Sequence, residues 1–112
     1  MKKEPWVYIA DILESIERIE TYIEKSGVDK VGFLKDVQLQ DAVARRFEII
    51  GEAVKRLEDN FRESYSGIPW KQMAGMRNVM IREYDRIDWN LVWKTIVDNL
   101  PRLKESLKKI VK

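Results

Sequence analysis

The 112-residue chain contains no histidine and no cysteine. Without cysteine there is no disulfide, no thiolate metal site and no thiol nucleophile. Without histidine the usual proton carrier near neutral pH is missing, and so is the commonest metal ligand. A Ser–His–Asp triad is excluded. The five glycines are scattered, and no G-x-x-x-x-G-K phosphate loop occurs. No apolar run approaches the ~18 residues that a membrane-spanning helix needs. The opening M-K-K-E-P-W begins like a signal peptide, but Asp11, Glu14, Glu17 and Arg18 break up the apolar stretch that a leader requires. A cytoplasmic protein is expected. Charge bias is missing too. The 21 basic and 19 acidic residues leave a net charge of +2, so any nucleic-acid contact needs a local patch.

Helical periodicity, by contrast, is plain. Apolar residues make up 45% and charged residues 36%, which suits one globular domain over residues 1–112. From Trp6 to Lys25, Ile9, Ile12, Leu13, Ile16, Ile19 and Ile23 recur at helical spacing. Pro5 suits the helix start and Gly27 its C-terminal cap. A second helix is expected from Phe33 or Leu34 to Asn60, with Leu39, Val43, Phe47, Ile50, Val54 and Leu57 on its stripe. Gly51 inside it predicts the close approach of a neighbouring helix. Residues 60–69 read as a loop. A third helix runs from Trp70 to about Tyr84, and Asp88 is an N-cap candidate for a fourth, Trp89 to Val111. Pro101 predicts a kink near Val97–Asn99. With no strand-type alternation, the expected fold is all-α, an antiparallel four-helix up-and-down bundle. Trp70, Met73, Met76 and Trp89 either fill its core or form a face on which two copies dimerise.

Carboxylate pairs occur at Glu14/Glu17 and Glu48/Glu52. The di-iron bundle pattern also needs Glu-x-x-His, so they read as ion-pair partners, with Arg45, Arg46, Lys55 and Arg56 beside the second pair. No metal and no cofactor are expected. The basic tail, Lys104, Lys108, Lys109 and Lys112, favours its own helix C-terminus, with nucleic-acid contact the lesser alternative.

The crowded polar stretch is Gly75–Asp88, G-M-R-N-V-M-I-R-E-Y-D-R-I-D. On a helix, Arg77, Asn78, Arg82 and Tyr84 are expected to converge on one edge. Two guanidiniums, an amide and a phenol suit a phosphate, and the phenol can also stack on a base. The alternative is a solvated, salt-bridged helix edge, with Glu83 and nearby acids neutralising the arginines.

Several segments occur in order. They are D-A-V-A-R-R-F-E-I-I-G-E-A-V at Asp41–Val54, I-P-W at Ile68–Trp70 and G-M-R-N-V at Gly75–Val79. D-W-N-L-V-W-K-T-I and L-P-R-L-K come next, at Asp88–Ile96 and Leu100–Lys104. Together they resemble the HepT-like family of the HEPN superfamily, over roughly Asp11 to Leu107. The resemblance implies a HEPN-type four-helix fold and a homodimer. It implies a toxin of a toxin–antitoxin pair whose partner is a small nucleotidyltransferase antitoxin. It further implies metal-free RNA cleavage through an Arg-x4-His-x-Tyr motif, and attachment of AMP to the motif tyrosine by the antitoxin.

The motif arginine falls on Arg77, the adjacent polar residue on Asn78 and the tyrosine on Tyr84. The motif histidine position is Arg82. Arginine stays protonated at neutral pH, so it cannot act as a base. Glu83 is a weaker candidate for that role. The resemblance therefore leads to an RNase-type toxin with catalysis weakened or lost. The alternatives are a non-catalytic dimeric module binding RNA or nucleotide, and a partner that only occupies the antitoxin.

Overall fold

A computed structural model of the chain describes residues 4–111. The sequence readings that fall on Met1–Lys3 and Lys112 lie outside them. Among the described residues seven α-helices succeed one another: α1 Pro5–Ser26, α2 Lys30–Lys35, α3 Val37–Arg56, α4 Asp59–Ser64, α5 Trp70–Arg82, α6 Trp89–Lys94 and α7 Leu100–Ile110. A 3-10 turn covers Tyr84–Arg86, and a π-helical turn, Thr95–Asn99, joins α6 to α7. The four rods α1, α3, α5 and α6–α7 form the all-α bundle of HEPN type. Helices α2 and α4 are short connectors.

Local signals set the helix ends. Pro5 occupies the first turn of α1, where its missing N–H costs nothing. Gly27 closes α1 at φ 65°, its N–H donating to the carbonyls of Ile23 and Glu24. Asp88 accepts from the N–H groups of Asn90 and Leu91 at the start of α6. Pro101 cannot donate to the carbonyl one turn back, and the wide π turn sits on that spot. The kink near Val97–Asn99 is therefore a π turn.

The expected second helix is three helices. Asp36 interrupts it, because its side chain accepts from the Leu39 N–H and so caps α3 from outside. At the other end Leu57 adopts an extended conformation and buries its side chain, which ends α3 at Arg56. Helix α4 then occupies the first half of the expected 60–69 loop. The indole N–H of Trp70 donates to the carbonyls of Arg62 and Tyr65, fastening α4 to α5.

Ile9, Ile12, Ile16 and Ile19 of α1, which packs on α3, are fully buried and share one core with Val43, Phe47, Ile50 and Val54 of α3. Each such isoleucine stabilises the fold by about 1.5–3 kcal/mol relative to exposure, which outweighs its lower helix propensity. Trp70 and Met73 are buried, and Met76 and Trp89 pack half-buried against the core. They belong to the core rather than to an open apolar face. Lys104 Nζ donates to Glu20 Oε1 at 2.9 Å and lies 3.8 Å from Glu17 Oε2, tying α7 to α1. Among the described residues no helix is long and apolar enough to cross a membrane.

Candidate functional site

The site lies along the seam between α3 and α5, and Gly51 sets its spacing. A β-carbon there would overlap Cβ of Arg77 and stand 3.3 Å from its Cα and N. The close approach expected from Gly51 is thus made by α5, at Arg77 itself. Arg77 Nε lies 3.8 Å from Glu52 Oε1, an ion pair too long for a hydrogen bond. That Nε is buried and has no hydrogen-bond partner. Arg77 Nη1 donates to Asn78 Oδ1 at 3.4 Å. Beside this pair is an open hollow of about 340 Å³ lined by Glu52, Lys55, Arg56 and Arg77.

Tyr84 sits at the other end of the seam. Helix α5 stops at Arg82, so Tyr84 lies in the 3-10 turn instead of on the helix. Its hydroxyl donates to the Asp41 carboxylate of α3, and its ring meets Trp89 edge-on at 6.2 Å. Asp41 and Glu52 are eleven residues apart, about three turns, so they share one face of α3. That acidic stripe spans the two ends of the site.

Arg82 is exposed, and its guanidinium makes no ion pair or hydrogen bond with any described residue. Five residues past Arg77, it points about 140° away around the helix. Glu83 is exposed as well. Within one chain Arg77 and Asn78 form one pair and Tyr84 is joined to Asp41, while no hydrogen bond or ion pair among the described residues links Arg82 to them. Arg82 lies four residues past Asn78 and so near its face of α5.

The carboxylates behave mostly as ion-pair partners. Glu48 pairs with Arg45 at 3.5 Å and Glu14 with Arg18 at 2.9 Å. Glu52 differs from the expectation: its partner is Arg77 across the seam, not Lys55 or Arg56 on its own helix. Among the described residues no three acidic side chains gather closely enough to hold a metal ion. The sequence reading missed Asp41 as the partner of Tyr84. The eleven-residue spacing to Glu52 was the only signal for it.

The all-α bundle thus carries an arginine, Arg77, packed on a glycine of the neighbouring helix, with the Asn78 amide beside it. The chain belongs to the HepT-like ribonuclease family, whose pattern, "Ribonuclease HepT-like", matches residues 12–110. It is similar to "Gamma-glutamylcyclotransferase and putative RNase" of Methanocaldococcus jannaschii, 47% identical over 99% of this chain and 49% of that protein. The chain thus spans about half the length of that relative. It is 39% identical to "Putative RNase" of Caldanaerobacter subterraneus, covering 97% of this chain and 96% of the relative. It is 38% identical to "Probable ribonuclease HepT" of Thermococcus cleftensis over the whole of both chains. No solved structure matches.

Proposed function

We propose that the protein is a HepT-like toxin that holds an RNA phosphate at Arg77 and Asn78 and cleaves it weakly or not at all. The observation that carries this is the Arg77 guanidinium, positioned by Gly51, with a buried Nε that no hydrogen bond satisfies. A guanidinium with donors to spare suits an anionic phosphate, and it stabilises charge that develops there during cleavage. Cleavage also needs proton transfer. The ribose 2′-hydroxyl loses a proton as its oxygen attacks phosphorus, and the departing 5′-oxygen gains one. Arg82 stands where the motif histidine is expected, and it is exposed and cannot act as a base at neutral pH.

The same reading includes a homodimer acting in the cytoplasm, with a nucleotidyltransferase antitoxin as partner. That antitoxin attaches AMP to Tyr84, a residue that is 45% exposed and so within reach of another protein. The second reading, an RNA-binding dimer without turnover, is favoured by the same exposed Arg82.

The test is an RNA-cleavage assay on the wild type beside Arg82→His. The variant is expected to cleave about 10²–10⁴-fold faster, the usual contribution of a placed general acid or base. Equal, robust cleavage by both proteins would sink the claim that position 82 limits turnover. If neither cleaves but both bind RNA through Arg77, the binding-module reading stands.

A further inference from the structure

Two hollows meet at the C-terminal end of α3. One is the hollow of about 340 Å³ beside Arg77. The other, about 550 Å³, reaches the start of α1, where Tyr8 lines it, together with Arg62 of α4. Lys55 and Arg56 line both. The two hollows therefore adjoin at Lys55 and Arg56, with Arg77 lining one and Tyr8 the other.

The charges along it are unequally committed. Arg77 faces Glu52, and Arg62 is paired with Asp59. Lys55 and Arg56 are exposed and make no ion pair or side-chain hydrogen bond with any described residue. Among the described lining residues they are the cations left without an acidic partner. Beyond them the second hollow is also lined by Glu58 and Asp59, the latter paired with Arg62. Tyr8 offers a half-buried aromatic ring beside open space. Free cations followed by an aromatic surface match single-stranded nucleic acid, in which the backbone follows positive charge and bases stack on rings.

We propose that single-stranded RNA held at Arg77 continues across these two adjoining hollows, with phosphates on Lys55 and Arg56 and one nucleobase stacked on Tyr8. This rests on Arg77 as a phosphate-binding residue and adds the path of the strand on one side of it.

The experiment is fluorescence anisotropy of the full chain with a labelled 12-nucleotide single-stranded RNA over a series of salt concentrations. The double variant Lys55→Gln/Arg56→Gln is expected to bind more weakly. Its slope of log affinity against log salt should shrink by about 1.4, at about 0.7 per lost phosphate contact. The matched pair Lys108→Gln/Lys109→Gln, on α7, carries the same change in net charge and should keep the wild-type slope. Tyr8→Leu, checked for folding by circular dichroism, should weaken binding about tenfold. Should it unfold, the charge pair decides, because Lys55 and Arg56 are exposed and can change without disturbing the core.

An unchanged slope in the Lys55/Arg56 variant overturns the proposal, as does an equal fall in the α7 pair. Folded Tyr8→Leu with wild-type affinity removes the stacked base from it. If Arg77→Ala keeps full RNA affinity while the Lys55/Arg56 variant loses it, the track stands and the Arg77 reading falls. A wild type that binds no RNA overturns both.

Discussion

Gly51 and Arg77 lie so close that a β-carbon on α3 there would overlap Arg77 Cβ. A glycine costs α3 roughly 1 kcal/mol of helix propensity relative to alanine. What it allows is the approach of α5 that sets Arg77 beside Glu52. The obstacle to a larger residue is a β-carbon and main-chain atoms, which cannot swing aside as a side-chain tip can. Gly51→Ala should therefore push the helices apart despite its better propensity. Overpacking of this kind costs about 1–3 kcal/mol, so after the gain in propensity a net loss of up to about 2 kcal/mol is expected in urea denaturation. RNA affinity should fall with it. An alanine variant as stable and as RNA-competent as the wild type would show that the close approach is dispensable.

Glu52 sits 3.8 Å from the Arg77 guanidinium, near enough to compete with a phosphate and too far to hydrogen-bond it. The side chains are 38% and 28% exposed, so solvent screens the pair and it contributes only about 0.2–1 kcal/mol. Glu52→Gln removes the competitor at little cost to folding. RNA affinity is expected to rise by up to about fivefold, the factor matching the upper end of that energy. Arg77→Ala should lower it. If Glu52→Gln weakens RNA binding instead, Glu52 positions the guanidinium and does not compete for it.

Much of the scaffold was legible because its signals are local. Pro5, Gly27, Asp88 and Pro101 each act within one turn of where they stand, through a missing donor, a positive φ or a capping side chain. The α2–α3 break was harder to see. Asp36 lies inside a continuous amphipathic stretch, and a capping aspartate there looks like any solvated polar residue. The pairing across the seam left almost no trace in the sequence. Gly51 announces that something comes close, but not that it is Arg77. Glu52 has nearer cations on its own helix, Lys55 and Arg56, yet faces Arg77 because the fold turns it toward α5. Tyr84 continues the helical spacing of Arg77, and nothing local marks the end of α5 at Arg82. Only the packed structure puts the phenol on Asp41.

The Tyr84–Asp41 hydrogen bond joins the 3-10 turn to α3 across 43 residues of sequence. The turn is exposed apart from Ile87 at its end, so little else holds it. Asp41→Ala should free Tyr84 and loosen its edge-on contact with Trp89. Amide hydrogen exchange over residues 84–87 is expected to quicken about fivefold, corresponding to about 1 kcal/mol of local stability. Global stability should change by less than that. Exchange rates equal to the wild type in this segment would mean that the hydrogen bond does not order the turn.

Lys104 gives a prediction for high pH. Its hydrogen bond to Glu20, helped by the nearby charges of Glu20 and Glu17, raises its pKa above the ordinary 10.5. The folded state thus favours the charged ammonium more than the unfolded chain does. The stabilisation is fully present below 10.5 and is lost as the pH rises through the raised value. The α1–α7 link is partly exposed, so its contribution is about 0.5–1 kcal/mol. In denaturant melts, Lys104→Met should be less stable than the wild type by about that amount from pH 6 to 9. The gap should then close above 10.5, where the wild-type lysine also becomes neutral. Arg18, raised by its hydrogen bond to Glu14, stays charged in both proteins and cancels from the difference. A gap that stays constant through this range would assign the loss to the packing of the lysine stem and not to its charge.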